Sequence, residues 1–450
     1  MRRKNAFALA AILSISLSAS AIAAEKSTAP QLIELAKSNS PALKDAITTT
    51  FDAKDLKDGT AWIAHGPDFF FAIETSSKPS LLIDAAPGPQ MQTLPASNLW
   101  FASAHIEPVG KLHNFSYLIN GAKFGGRLDL PAFTPLSYQQ PGVPSGTLSP
   151  KLSHTSKIYD GMKSDYWIYV PAQYDPHTPA ALMVFQDGEW YLDRDGKNPA
   201  LNVIDNLIAQ KKIPVIIAVF INPGDIESSP GTPTYNLVKK YSDEWQRTLK
   251  DSMRSTLYDT VSDRYARFLH LEVLAEVESK YNIRKDAYSR AITGLSSGGI
   301  CSFNAAWQMP DQFSRVISWI GSFTSIQWKE DPAVADGGQD FPEKVLHEPH
   351  RNLRVWLQDG SEDLELEKYG SWALANIRLA NALKLKNYDF HFTFGKGTHN
   401  SAHGAAEFPE QMIWLWRDYD PAKTSQTYEI DPAEKAKPQF RVSITNRDPQ

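Results

Sequence analysis

One cysteine, Cys301, stands among 450 residues, so an intrachain disulfide is excluded. A chain this long can fold without one, because its core can be large. Basic residues are not in surplus: 46 Lys and Arg face 51 Asp and Glu, leaving a net charge of −5. That balance argues against a nucleic-acid partner, whose binding surface normally carries a basic excess. Beyond residue 24 no apolar run is long enough to span a bilayer. Also missing are the H-E-x-x-H, clustered His-x-His and paired-cysteine patterns of a zinc site, and the Walker and G-x-G-x-x-G nucleotide loops. The expectation is therefore no cofactor and no metal.

What is present is an ordinary globular composition, 42% apolar and 22% charged, with 12 Trp, 17 Tyr and 21 Phe. The amino terminus differs from the rest. Arg2-Arg3-Lys4 forms a positive start, Ala6 to Leu17 an apolar stretch, and Ala21-Ile22-Ala23-Ala24 a row of small residues. This reads as a secretory signal peptide over 1–24, implying a periplasmic or secreted protein with no membrane span after cleavage.

Residues 25–60 read as a leader helix and connector. From 61 to about 125, short extended runs follow at close spacing, including Phe69-Phe70-Phe71-Ala72-Ile73 and Phe115-Ser116-Tyr117-Leu118-Ile119. Turn residues separate them, among them Asn120-Gly121, which suggests a small antiparallel sandwich within 25–130. Prolines then crowd 131–152, a linker or extended strap between domains. After Ser153 strands alternate with helices up to about 425, leaving 426–450 as a tail. Val215 to Ile221 is continuously apolar, as a central strand buried on both faces should be. Such alternation predicts an α/β fold with a doubly wound, mostly parallel sheet, whose function lies at the carboxyl ends of its strands. A segment at 222–262, rich in Pro, Ser, Thr and charge, is placed to cap the site, although a surface loop is as good a reading.

The only G-x-S-x-G match is Gly294-Leu295-Ser296-Ser297-Gly298, between an extended segment (288–293) and a helix-prone run from Ile300. A serine on a tight strand-to-helix turn needs small neighbours, because flanking backbones crowd together there. Chance can produce such a turn, so a catalytic reading requires an acid and a base downstream. Two strand ends offer them. One runs into Gln358-Asp359-Gly360-Ser361-Glu362-Asp363, the other into Gly395-Lys396-Gly397-Thr398-His399. The order Ser, Asp, His is that of α/β-hydrolases. A turn through Gly360 favours Asp363 as the acid, with Asp359 next and Glu362 adjacent. His399, directly off a strand, is preferred to His403. Cys301 reads as a buried small hydrophobe. The N–H of Ser297 would bind an oxyanion, and Gln186-Asp187-Gly188-Glu189-Trp190 is placed to add the N–H of Glu189. Trp190 and Tyr191 would wall the substrate site, or else pack the loop.

Several runs together resemble the esterase D-like superfamily of α/β-hydrolases, which includes enterochelin esterases, feruloyl and acetyl-xylan esterases and mycolyltransferases. They are Arg264-Tyr265-Ala266-Arg267-Phe268-Leu269, Arg290-Ala291-Ile292-Thr293-Gly294-Leu295-Ser296-Ser297-Gly298-Gly299, Gly397-Thr398-His399-Asn400 and Trp414-Leu415-Trp416-Arg417. The resemblance covers roughly 153–420, an esterase domain assigned to 153–425. It implies Asp363 at the acid position and Asp187-Gly188-Glu189 as the oxyanion turn. More weakly, 61–125 is similar to the Ig-like amino-terminal module of enterochelin esterase-like proteins.

The expected function is therefore an exported serine esterase acting on a small-molecule or carbohydrate ester. Siderophore lactones and acyl or feruloyl esters of carbohydrate are both compatible. An acyltransferase using the same acyl-enzyme, or an inactive carbohydrate- or siderophore-binding protein on this scaffold, are the alternatives.

Overall fold

The computed structural model describes residues 26–225, 253–327 and 337–441. The signal-peptide reading of 1–24 and most of the 222–262 segment lie outside them. Eight strands of the carboxy-terminal domain form the main sheet: β1 (Leu152–Thr155), β2 (Lys163–Val170), β3 (Ala181–Gln186), β4 (Ile216–Ile221), β5 (Arg290–Leu295), β6 (Arg315–Trp319), β7 (Arg354–Glu362) and β8 (Asp389–Thr398). Their spatial order is 1-2-4-3-5-6-7-8, and Thr147–Leu148 adds a short antiparallel pairing to β2. From β4 to β8 all neighbours run parallel, while β2 is antiparallel to both of its main partners.

The strands are apolar on both faces because helices cover both. Leu182, Val184, Ile217, Val219, Ile292, Val316 and Val355 point to one layer, which holds the helices Ser297–Gln308 and Trp372–Leu385. Ala181, Met183, Phe185, Ala218, Phe220, Ile317 and Trp356 point to the other, with the helices Ala200–Ala209 and Ala402–Leu415. Each fully buried aliphatic or aromatic side chain contributes about 1.5–3 kcal/mol relative to exposure.

The amino-terminal region holds two four-stranded antiparallel sheets. Phe69, Phe71 and Ile73 of one sheet meet Leu81, Phe115, Tyr117 and Leu130 of the other. The opposite face of the first sheet, with Phe70, Ala72 and Phe101, is buried too. Helices Ala29–Lys37, Leu43–Thr50 and Ala53–Asp58 lie on it through Leu32, Ile47 and Leu56. This explains why Phe69 to Ile73 is a continuous apolar run instead of an alternating one. The first helix opens on a capping box in which Thr28 and Gln31 satisfy each other's backbone N–H.

Between strand Ala122–Pro131 and β1 the chain is tied to the carboxy-terminal domain. Asn206 Nδ2 donates to the carbonyls of Leu136 (2.8 Å) and Tyr138 (2.7 Å), and Gly146 N–H donates to the Tyr169 hydroxyl at 2.7 Å. The end of the chain also folds back. Asn381 exchanges two hydrogen bonds with the Phe440 backbone, and Tyr428 is buried.

Candidate active site

Strand β5 ends at Leu295, and the helix Ser297–Gln308 begins two residues later, so Ser296 alone makes the turn. Its φ of 56° and ψ of −122° lie where a side chain is strained, at a cost of roughly 1–3 kcal/mol. Surrounding bonds hold it there. Ser296 N–H donates to the Trp319 carbonyl at 2.9 Å, and the Ser296 carbonyl accepts from Ser322 N–H at 3.1 Å. Space holds it too. A Cβ on Gly294 would run into the Gly298 carbonyl group, so the elbow closes only because position 294 has no side chain.

The other two groups arrive on β7 and β8. These neighbours approach so closely past the sheet edge that a Cβ on Gly360 would collide with the Gly397 backbone. That approach brings both loops over Ser296. Ser296 Oγ lies 2.8 Å from His399 Nε2, and His399 Nδ1 lies 2.5 Å from Asp363 Oδ1. The His399 side chain is 17% exposed and that of Asp363 is fully buried, so only the histidine can be reached from solvent. Burial would raise the Asp363 carboxyl. Hydrogen bonds from His399 and Asp359, and the charge of His399, outweigh it and hold Asp363 below its ordinary range.

Asp359 lies inside β7 and does not touch His399. Its Oδ1 accepts the Gly360 N–H at 2.7 Å. Burial, together with the bond and charge of Asp363, pushes its carboxyl well above the usual range. The interaction between the two carboxyls thus moves them in opposite directions. Glu362 is exposed. His403 is occupied elsewhere, with Nδ1 3.1 Å from Gln358 Nε2 and Nε2 3.0 Å from Glu407 Oε1. Cys301 is buried in the helix after the elbow, and burial raises its thiol well above normal.

Ser297 is the first residue of its helix, so its N–H has no intrahelical acceptor and stands at the positive end of the helix dipole. The N–H of Glu189, expected in the oxyanion site, instead donates to Asn222 Oδ1 at 3.1 Å. Asn222 Nδ2 returns a bond to Glu189 Oε2 at 3.1 Å. Tyr191 corrects a second expectation. It is completely buried, packed on Phe185 (5.2 Å between ring centroids) and Trp319 (5.9 Å), so it walls no groove. Gly188–Tyr191 is a 3₁₀ turn, whose successive side chains diverge by about 120°. Trp190 therefore stays half-exposed while Tyr191 points inward.

Four contributors escaped the sequence reading. Ser322 Oγ lies 3.3 Å from Ser296 Oγ and accepts from Trp372 Nε1 at 2.9 Å. The Trp372 ring stands edge-on to His399 at 5.7 Å. Arg254 forks onto Asp187, Nε to Oδ1 at 2.8 Å and Nη2 to Oδ2 at 2.7 Å, bracing the loop after β3. Asp129, from the amino-terminal domain, binds Thr398. Ser322 follows the end of β6, a position that α/β topology marks in advance. The other three carry no motif.

Comparison with known proteins places the chain in a family. Residues 161–415 match the family model described as "Putative esterase". The uncharacterized protein YbbA of Bacillus subtilis (strain 168) is 22% identical over 170 residues, 37% of this chain and 59% of that relative's length. Among solved structures, the enterobactin esterase of Shigella flexneri, determined in the presence of enterobactin, superposes with a TM-score of 0.50 at 15% identity. The match covers 82% of this chain and 98% of that one, a likeness of fold. A ferulic acid esterase from Anaeromyces mucronatus gives a TM-score of 0.45 at 16% identity over 62% of this chain and 94% of that one. With more than half of its length matched by the family model, the chain belongs to this esterase family, and its class of chemistry is carboxylic-ester hydrolysis.

Proposed function

We propose that the protein is an exported serine esterase working through Ser296, His399 and Asp363. The observation that carries the reading is the unbroken relay from Ser296 Oγ through both His399 nitrogens to Asp363. In this reading Ser296 Oγ attacks the ester carbonyl while His399 Nε2 takes its proton. Asp363, kept ionised, accepts from Nδ1–H and fixes the tautomer that leaves Nε2 free as the base. Negative charge on the carbonyl oxygen falls to the Ser297 N–H. Glu189 can add the second donor only once the Asn222 side chain turns away. His399 then protonates the departing alcohol, and water, activated by the same nitrogen, releases the acyl group. Trp190 borders the substrate. Export rests on the amino-terminal charge and apolar pattern. Among the described residues no helix is long and apolar enough to cross a membrane.

Wild-type protein should react with a fluorophosphonate probe and hydrolyse p-nitrophenyl esters, and Ser296→Ala should lose both. Labelling that survives in Ser296→Ala would remove Ser296 from the mechanism. For the ester itself, the informative panel sets a siderophore-type lactone against feruloyl- and acetyl-polysaccharide and small sugar esters. Alcohol acceptors added to the same assay separate hydrolysis from acyl transfer.

A further inference from the structure

His399 sits immediately past the end of β8. His399 follows Gly395-Lys396-Gly397-Thr398, and two glycines in four residues leave the backbone many conformations to lose. Pairing with β7 reaches Thr398, but its register shifts between Gly360 and Glu362, and a second group holds this end from its other side. The holding group comes from the other domain. Asp129 lies near the end of strand Ala122–Pro131, next to Leu130, which is fully buried in the sandwich core. Its carboxylate reaches across the domain boundary and takes both donors of Thr398, the residue before His399. Oδ1 accepts Thr398 N–H at 2.9 Å and Oδ2 accepts the Thr398 hydroxyl at 2.5 Å. On the far side of Thr398, Asn400 Nδ2 donates to Thr398 Oγ1 at 2.9 Å, and Asn400 Oδ1 accepts from Ala402 N–H at 2.8 Å. The loop is thus tied between the sandwich and the start of helix Ala402–Leu415, with His399 in the middle.

We propose that Asp129 is a positioning residue, through which the amino-terminal domain sets the place of the catalytic base. The inference rests on the serine-esterase reading above. A carboxylate bonded by two donors of one residue fixes both distance and orientation, as a single bond would not. A base displaced by about 1 Å loses on the order of 10²-fold in rate. Asp129 and Thr398 also line a cleft of about 560 Å³ between the domains, shared with Trp62, Arg127 and Tyr138. The clamp is therefore at a wetted boundary, where its removal need not unfold the core.

The test uses the full chain and p-nitrophenyl butyrate. Asp129→Ala should lower kcat about 10- to 100-fold, with KM changed less than about twofold. Asp129→Asn should recover most of the loss, because its amide oxygen still accepts the Thr398 N–H. Thr398→Val, which deletes only the hydroxyl, should fall between, and combining it with Asp129→Ala should add little. Hydrogen exchange of the 395–401 segment should quicken in Asp129→Ala. A folded Asp129→Ala protein with wild-type kcat and unchanged exchange would overturn the proposal, as would a kcat loss matched wholly by loss of folded protein. Should Asp129→Ala not fold, Thr398→Val with wild-type kcat and exchange is equally decisive against it. Turnover that persists in Ser296→Ala strikes the nucleophile assignment instead. The exchange measurement still reads the clamp in that event.

Discussion

Asp359 and Asp363 sit four residues apart at the end of one strand, and only one of them reaches His399. The difference is one of geometry before it is one of charge. Asp359 is still within β7, its side chain folded onto the next N–H, whereas the chain turns through Gly360 before presenting Asp363. Their carboxyls are then driven apart in proton affinity, Asp359 upward and Asp363 downward. Asp363→Asn should reduce kcat by up to about 10⁴, the loss expected when a histidine is held in the wrong tautomer. Asp359→Asn should keep activity within about threefold, since the amide keeps the shape of the side chain and adds no charge beside Asp363. Its effect belongs to stability. A carboxyl whose folded pKa is raised contributes stability that is complete below its unfolded value, about 3.9, and is lost as pH rises through the folded value. The variant should therefore gain on wild type between pH 4 and pH 7, a difference that denaturant unfolding at both pH values measures. If Asp359→Asn abolished turnover and Asp363→Asn spared it, the roles assigned here would be exchanged.

At the scale of elements, the turn between β5 and its helix is the most constrained feature of the site. Gly294→Ala should push the elbow out of shape, because the new methyl meets backbone and not a movable side chain. We expect a loss of about 1–3 kcal/mol from overpacking and at least a hundredfold slower fluorophosphonate labelling, since the serine would no longer point at His399. Labelling at the wild-type rate would mean the close approach is not needed. This turn was legible in the sequence because its glycines and serine fall in a spaced pattern at a strand–helix junction. So were the continuously apolar β4 and the three side chains, Ser296, Asp363 and His399, that the structure brings together. The helix after His399 was not. It runs from Ala402 through Pro409, a residue that usually breaks a helix interior, and its opening N–H is held by Asn400. Trp190 and Tyr191 are adjacent aromatics that no pattern distinguishes, and only the 3₁₀ turn decides which one faces the core. Asp129 and Thr398 lie 269 positions apart, a separation at which local periodicity carries no information.

Over the whole molecule, Ser296, Asp363 and His399 gather at the carboxyl ends of the strands, while the returning carboxy-terminal segment seals the amino ends. Arg315 and Arg354 begin β6 and β7, and both are almost wholly buried. Arg354 is neutralised by Asp389, with Nε 2.6 Å from Oδ2. Arg315 has no such carboxylate among its described hydrogen bonds, and burial pulls its guanidinium down to about 10. Aromatic faces take that place: Trp416 at 4.8 Å, Tyr288 at 4.9 Å and Tyr428 at 5.3 Å from the Arg315 carbon centre. Tyr428 also stacks on Arg354 at 4.7 Å, and its hydroxyl lies 3.0 Å from Ser314 Oγ. Removing this ring would open a cavity beside two buried cations. Tyr428→Ala should cost about 3–5 kcal/mol, seen as a lower urea midpoint with little change in slope. Its kcat, measured where the variant is still folded, should stay within about twofold of wild type, because its described partners Ser314, Asn352, Arg315 and Arg354 lie at the amino ends of the strands. An unchanged midpoint would deny the segment its sealing role. A parallel fall in kcat in the folded variant would show that the two ends of the sheet are coupled, and that catalysis depends on packing at the far side of the molecule.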